Sequence, residues 1–242
     1  YNHVQHTMEF HHHQSIHYNH PVSGIDFWHG RGGARIRNDE IVKAEVVGGK
    51  ALIVSRNSWM QGEKRILSDT TEIRAGTTKG GRFIDYKVSI HASEREITFQ
   101  DSKEGSMSIR THPALRLQGK VAKGSAINSG GVKGKAVWGK AAKWVNYWGP
   151  VDGETVGIAI FDHPDNPRHP TTWHARDYGL IAANPFGEKY FKAGEGALTL
   201  GKGKTVTFFY RFFFHEGSNE KIDIPAHYEK WSKTNKQKAD FK

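Results

Sequence analysis

Apolar side chains recur at every second position through most of this chain, and glycines punctuate the runs. Arg82 to Ala92 shows the pattern most cleanly. Phe83, Asp85, Lys87, Ser89 and His91 fall on one face of an extended segment, and Ile84, Tyr86, Val88 and Ile90 on the other. Val42 to Val47, Gly48-Gly49 and Ala51 to Ser55 read as a hairpin with a glycine turn. Ile66 to Ala75, Ile97 to Phe99, Ser106 to Thr111, Val137 to Trp148 and Thr155 to Phe161 are further strand candidates. Ala197 to Leu200 and Thr205 to His215 read as a last hairpin around Gly201 and Gly203. Within it, Thr207 to Phe214 is apolar at nearly every position, which suits a central strand covered on both faces. Residues 119–135, rich in glycine and lysine, read as a long loop or loose hairpin. Only the C-terminus reads as helix, with Asp223 as N-cap and Pro225 in the first turn. No internal repeat is visible. The pattern predicts an all-β fold: a large antiparallel β-sandwich over residues 1–242 with one short C-terminal helix.

The stretch Trp144 to Gly187 stands apart. The uncharged run Gly157 to Phe161 leads into Asp162, His163, Asp165, Asn166, Arg168, His169, His174, Arg176 and Asp177. Pro164, Pro167 and Pro170 punctuate the segment and hold it extended, each restricting its own φ and the residue before it. A loop so stiffened and so rich in ionisable groups is suited to holding side chains for chemistry.

Composition narrows the classes. Without cysteine there are no disulfides and no thiolate chemistry. No run of about eighteen apolar residues exists, so no transmembrane helix is expected. The formal net charge of +10 is compatible with a polyanionic partner: nucleic acid, acidic polysaccharide or membrane surface. Gly119 to Lys143 holds six lysines and no acid, and the segment from His227 to Lys242 five more. There is no helix-turn-helix, zinc-finger or RNA-recognition motif, and Gly30, Gly32 and Gly33 do not open a helix as a nucleotide loop would.

Three segments carry a resemblance. His12-His13 with Ser15 and then SGIDFW, the run ITFQDSKEGSMSIR from Ile97 to Arg110, and Trp144 to Gly187 resemble the motifs of a bacterial domain family labelled "methane oxygenase PmoA". The likeness covers nearly the whole chain. It departs where three histidines stand in place of the family's pair, and the family's further N-terminal β segment is expected to be missing. The resemblance implies a β-sandwich like the large sandwiches of sugar mutarotases, export to the periplasm or beyond, and a carbohydrate or acidic sugar ligand.

Two kinds of chemistry fit the residues. His12, His13, His163, His169 and His174 could assemble a metal site completed by Asp162 or Asp177, although no standard metal-ligand spacing is present. Acid–base catalysis needs one group to take a proton and another to give one. Glu104 is the leading carboxylate and His174 the leading imidazole, with His163 as a further candidate and Trp173 beside His174 to stack on a sugar ring. Arg110, Arg168 and Arg176 could grip a carboxylate or stabilise an enediolate, with His12, His13, His169 and Asp177 completing a binding cleft. The plainer possibility is that Glu104 pairs with Lys103 or Arg110, and Asp177 with Arg176, in structural ion pairs. Three readings follow: an enzyme acting on a sugar by isomerisation, elimination or hydrolysis, a non-catalytic carbohydrate-binding or interaction module, and a metal-dependent oxidoreductase as the family label has it. No cofactor is identifiable from the sequence.

Overall fold

Glycine turns and period-two alternation put most of the chain into antiparallel strands in the computed structural model, which describes residues 15–234. The chain begins with β1 (Ile16–Asn19), β2 (Pro21–Val22) and β3 (Ile25–Asp26). Four long strands follow: β4 (Ala34–Val47), β5 (Lys50–Gln61), β6 (Lys64–Thr78) and β7 (Gly81–His91). Then come β8 (Ile97–Phe99), β9 (Ser106–Arg110), β10 (Ser125–Asn128), β11 (Trp144–Val151) and β12 (Glu154–Asp162). The last strands are β13 (Thr172–Ala175), β14 (Leu180–Asn184), β15 (Leu198–Leu200) and β16 (Thr205–Glu216), and the helix α1 (Ile224–Thr234) closes the described chain.

The strands form one eight-stranded sheet, ordered β10-β11-β12-β16-β7-β6-β5-β4, and two four-stranded sheets, β1-β9-β14-β13 and β15-β8-β2-β3. One continuous core joins them. It takes Val88 and Ile90 from β7, Ile158 and Ile160 from β12, and Phe208, Tyr210 and Phe212 from β16 of the large sheet. Facing these are Met107, Ile109, Trp173 and Ile181 of one small sheet and Val22, Ile97 and Phe99 of the other. The molecule is therefore a mostly β sandwich with one short helix, as its patterning leads one to expect.

Several elements fall where the alternation puts them. Gly48 and Gly49 take φ of 55° and 73° between β4 and β5, the paired positive φ of the tight hairpin turn that glycine favours. β16 lies between β12 and β7, with Phe208, Tyr210 and Phe212 buried on one face and Phe213 on the other. On its outer face Phe213 packs with Phe161, Trp144 and Ile224, Tyr228 and Trp231 of α1. Asp223 caps that helix, accepting from the Ala226 amide at 2.9 Å. Toward β4 the large sheet extends past its covering layer, leaving Ile41, Val46 and Ile53 exposed.

Three expectations are corrected. β15 does not pair with β16 but with β8, because both edges of β16 are already taken by β12 and β7. The strand expected from Val137 starts only at Trp144, since residues 134–137 form a 3-10 turn. The loop expected from Asp162 to Asp177 contains the strand β13, which pairs with β14 and completes the small sheet beside β9.

Candidate functional site

The outer face of that small sheet gathers the chemistry. Trp173 and Ala175 of β13 point into the core, so strand alternation turns Thr172 and His174 outward. Met107 and Ile109 of β9 point inward, which turns Ser108 and Arg110 to the same outer face. Register then aligns His17, Ser108, Ala182 and His174 in one row across four strands. Ser108 Oγ lies 2.7 Å from His17 Nε2.

Two segments fold over this face. The first is the β13–β14 hairpin tip, carrying Arg176, Asp177 and Tyr178 and closed by the Arg176 amide donating to Leu180 O at 2.7 Å. The second is the loop 101–105, which brings Lys103 and Glu104. That loop is fastened through Asp101, Ser102 and Lys103. Asn184 Nδ2 donates to the carbonyls of Ser102 and Lys103 at 2.7 and 3.0 Å. The Asp101 carboxylate accepts from the amides of Lys189, Tyr190 and Gly196 at 3.0, 3.1 and 2.6 Å. Gly105 leaves the loop with φ of 145°, and a Cβ there would fall on the imidazole of His20.

His174 is the centre of the arrangement. Trp138 Nε1 donates to its Nδ1 at 3.3 Å. Indole nitrogen is a donor only, so Nδ1 carries no proton and the neutral ring holds its hydrogen on Nε2. Burial pushes the imidazole down to about 4, with the Glu104 carboxylate opposing the shift and Arg176 and Lys103 adding to it. The guanidinium carbons of Arg110 and Arg176 lie 4.8 and 5.1 Å from the centre of the Tyr178 ring, and that of Arg176 also lies 5.7 Å from Trp138. Burial raises the Tyr178 hydroxyl, with Arg176 opposing. Lys103 Nζ pairs with Glu104 Oε1 at 2.9 Å, and this bond is the main cause that raises the lysine. Beside this cluster a cavity of about 210 Å³ is lined by Lys135, Trp138, Ala175, Arg176 and Asp177. Asp177 pairs with Lys135 at 3.4 Å, not with Arg176.

The remaining candidates lie elsewhere. Asp162 is fully buried and accepts from Asn166 Nδ2 at 2.7 Å and the Thr171 amide at 3.0 Å, with His169 Nδ1 at 2.7 Å. His169 Nε2 in turn lies 3.4 Å from the Tyr228 hydroxyl on α1. Burial raises the Asp162 carboxyl, and the His169 contact works against that. His163 Nδ1 accepts from the Asp165 amide at 3.1 Å, and its ring stands edge-on to Trp231 at 5.1 Å. Arg168 donates to the carbonyls of Pro185, Gly196 and Ala197. Trp173 is buried in the core with its indole N–H on Ala142 O at 2.8 Å, so it presents no face to a ligand. These side chains fasten the loop and helix, and the aromatic beside His174 is Trp138. His12 and His13 lie outside the described residues. Among the described residues no group of three or more histidine, aspartate or glutamate side chains is placed to hold a metal ion. His163 and His169 contact Trp231 and Tyr228 of α1, whereas His174 contacts Trp138 and Phe191.

A family model matches residues 3–229. The chain belongs to DUF6807, a family of unknown function. No curated protein matches it. Solved structures similar to it include a heparan sulfate lyase HepC mutant from Pedobacter heparinus, at 8% identity and TM-score 0.35 over 76% of this chain and 22% of the lyase. Galactose mutarotase-like proteins from Lactobacillus casei and Clostridium acetobutylicum are similar at 10% and 9% identity, with TM-scores of 0.38 and 0.37. The matches cover 72% of this chain and 72% of the first, and 89% of this chain and 77% of the second. Among the described residues no helix is long and apolar enough to cross a membrane.

Proposed function

We propose that the protein acts on a carboxylated sugar at the outer face of the small sheet, by proton transfer beside the sugar carboxylate. The observation that carries this reading is the convergence of Glu104, His174, Arg176 and Tyr178 from a loop, a strand and a hairpin tip. In it, Arg176 and Lys103 hold the carboxylate, with buried Arg110 adding positive potential behind Tyr178. Glu104 takes the proton from the adjacent carbon, and the electron pair moves into an enediolate. Arg176 and the Nε2–H of neutral His174 stabilise that charge, a role for which an uncharged imidazole is a suitable donor. A proton from water on the opposite face then gives an epimer, with Glu104 releasing its proton to solvent. Alternatively the C–O bond at the β-carbon breaks as the double bond forms, and the leaving oxygen takes the proton from Glu104, giving an unsaturated sugar and an alcohol. Glu104→Gln tests the scheme on a panel of uronic acids. Turnover is expected to fall at least about a hundredfold while binding persists, and unchanged turnover in this variant contradicts the role of Glu104.

A non-catalytic carbohydrate-binding module is the second reading, favoured by the 1% exposure of His174. It is supported if the wild-type protein and Glu104→Gln bind a uronate equally and neither turns it over.

A further inference from the structure

A second cavity, of about 450 Å³, adjoins the first. Its lining includes Ser125, Ile127, Lys133, Lys135, Trp148 and Asn219. Lys135 lines both cavities; its Nζ lies 3.4 Å from Asp177 and also donates to Gln118 Oε1, and its backbone belongs to the 3-10 turn of residues 134–137. Trp148 stands on the outer face of β11 and is half-buried, opposite Ser125 of β10 and Gly157 of β12. Lys133 and Lys135 are exposed, and the stretch from His112 to Val151 contains no acidic residue. Glu220 is the one acid on the cavity rim among the described residues, close enough to Lys133 that the lysine lowers its carboxyl, after bonds to Ser218 and its own backbone.

From this geometry we infer that the two cavities are consecutive subsites for an acidic oligosaccharide, so that the ligand is a chain of uronate units and not a single sugar. This rests on the proposed function and deepens it. The first unit lies against Arg176 and Trp138. The next crosses Lys135, and the one beyond rests its ring on Trp148 with its carboxylate toward Lys133. The chemistry of the second cavity suits this ligand: a flat aromatic surface for the apolar face of a pyranose, ammonium groups for carboxylates, and Asn219, Ser125 and Glu220 as hydrogen-bonding groups for hydroxyls. The acid-free basic stretch around it would hold further units by charge, and such binding weakens with salt.

The test is titration calorimetry of the whole chain with galacturonic acid and its dimer, trimer and tetramer, at low and moderate salt. The trimer is expected to bind at least about tenfold more tightly than the monomer. Trp148→Ala and Lys133→Gln are each expected to bring the trimer several-fold closer to the monomer while leaving the monomer unchanged. Arg176→Gln is expected to weaken every length. The second, surface variant keeps the test open if Trp148→Ala folds poorly. Equal affinity for all lengths, or a trimer unaffected by Lys133→Gln, overturns the extended site while a monomer still dependent on Arg176 leaves the proposed function standing. A single-stranded oligonucleotide binding as tightly as the trimer overturns the saccharide assignment. Failure of every uronate to bind overturns the proposed function and the second subsite with it.

Discussion

Trp138 holds the Nδ1 atom of His174 by its indole N–H at 3.3 Å, and so decides which nitrogen of the imidazole carries hydrogen. His174 can therefore offer a proton or a hydrogen bond only through Nε2. Trp138→Phe removes the donor and keeps much of the ring surface. Nitrogen-15 spectra of the histidine side chains are expected to show a single Nε2–H tautomer for His174 in the wild-type protein and a mixture in the variant. Stability is expected to fall by about 1 kcal/mol, the net worth of one hydrogen bond. Identical spectra would show that Trp138 does not set the tautomer.

Acid should destabilise the fold through its buried imidazoles. Burial holds both His20 and His174 near 4, against an ordinary value of 6.5. Between those values the unfolded chain binds protons that the folded chain refuses, so each imidazole's contribution is intact above about 6.5 and is lost as pH falls toward 4. By pH 4.5 the loss is roughly 2 to 3 kcal/mol for each. Asp162 and Asp69, whose carboxyls burial raises, work in the opposite direction. Comparison with His174→Gln isolates one imidazole. In urea unfolding at pH 7 and 4.5, the variant is expected to lose less stability on acidification than the wild type by about that amount. An equal loss in both would contradict a buried, neutral His174.

The patterning made the sandwich legible, and the site only in part. Clean alternation in β7 and the apolar run in β16, interrupted only by Arg211, marked these strands of the large sheet because one or both of their faces are buried. The same rule passed over Thr172–Ala175 and Leu180–Asn184, which are short, lie amid prolines and charges, and are buried on both faces, so period two is masked. Glu104, Arg110, His174 and Arg176 were identifiable by residue type and do converge. His163, Arg168 and His169 had the same types but serve internal contacts, a difference that depends on long-range packing. Lys103 was legible only as an ion-pair partner of Glu104, and Tyr178 and the clamping Asn184 carry no signal by residue type, while Asp-Ser beside Lys-Glu-Gly is a turn signal that marks Asp101.

Asp162 is the fastener of the loop that precedes β13. Asp162→Ala strands the Asn166 amide, the Thr171 N–H and His169 in the interior, and is expected to cost about 3 kcal/mol or more. Because His169 continues the contact to Tyr228, α1 should loosen from the large sheet and Trp231, 1% exposed, should become wetter. Thermal unfolding and the emission wavelength of tryptophan measure both effects. A fully native melting temperature would contradict the structural role given to Asp162.

Gly105 sets the path of the loop that carries Glu104. Its φ of 145° disfavours any side chain, and a methyl group would meet the His20 imidazole. Gly105→Ala is expected to destabilise by about 2 kcal/mol, read as a lower urea midpoint. A neutral substitution would show that the loop can relax without loss.

The most direct measurement is a titration of histidine-labelled protein with glucuronate, followed by side-chain nitrogen resonances. The resonances of His174 should move in step with binding, and those of His163 and His169, held against α1, should stay in place. Shifts centred on His163 and His169, or saturable binding that leaves His174 untouched, would contradict the assignment of the acidic sugar to the outer face of the small sheet.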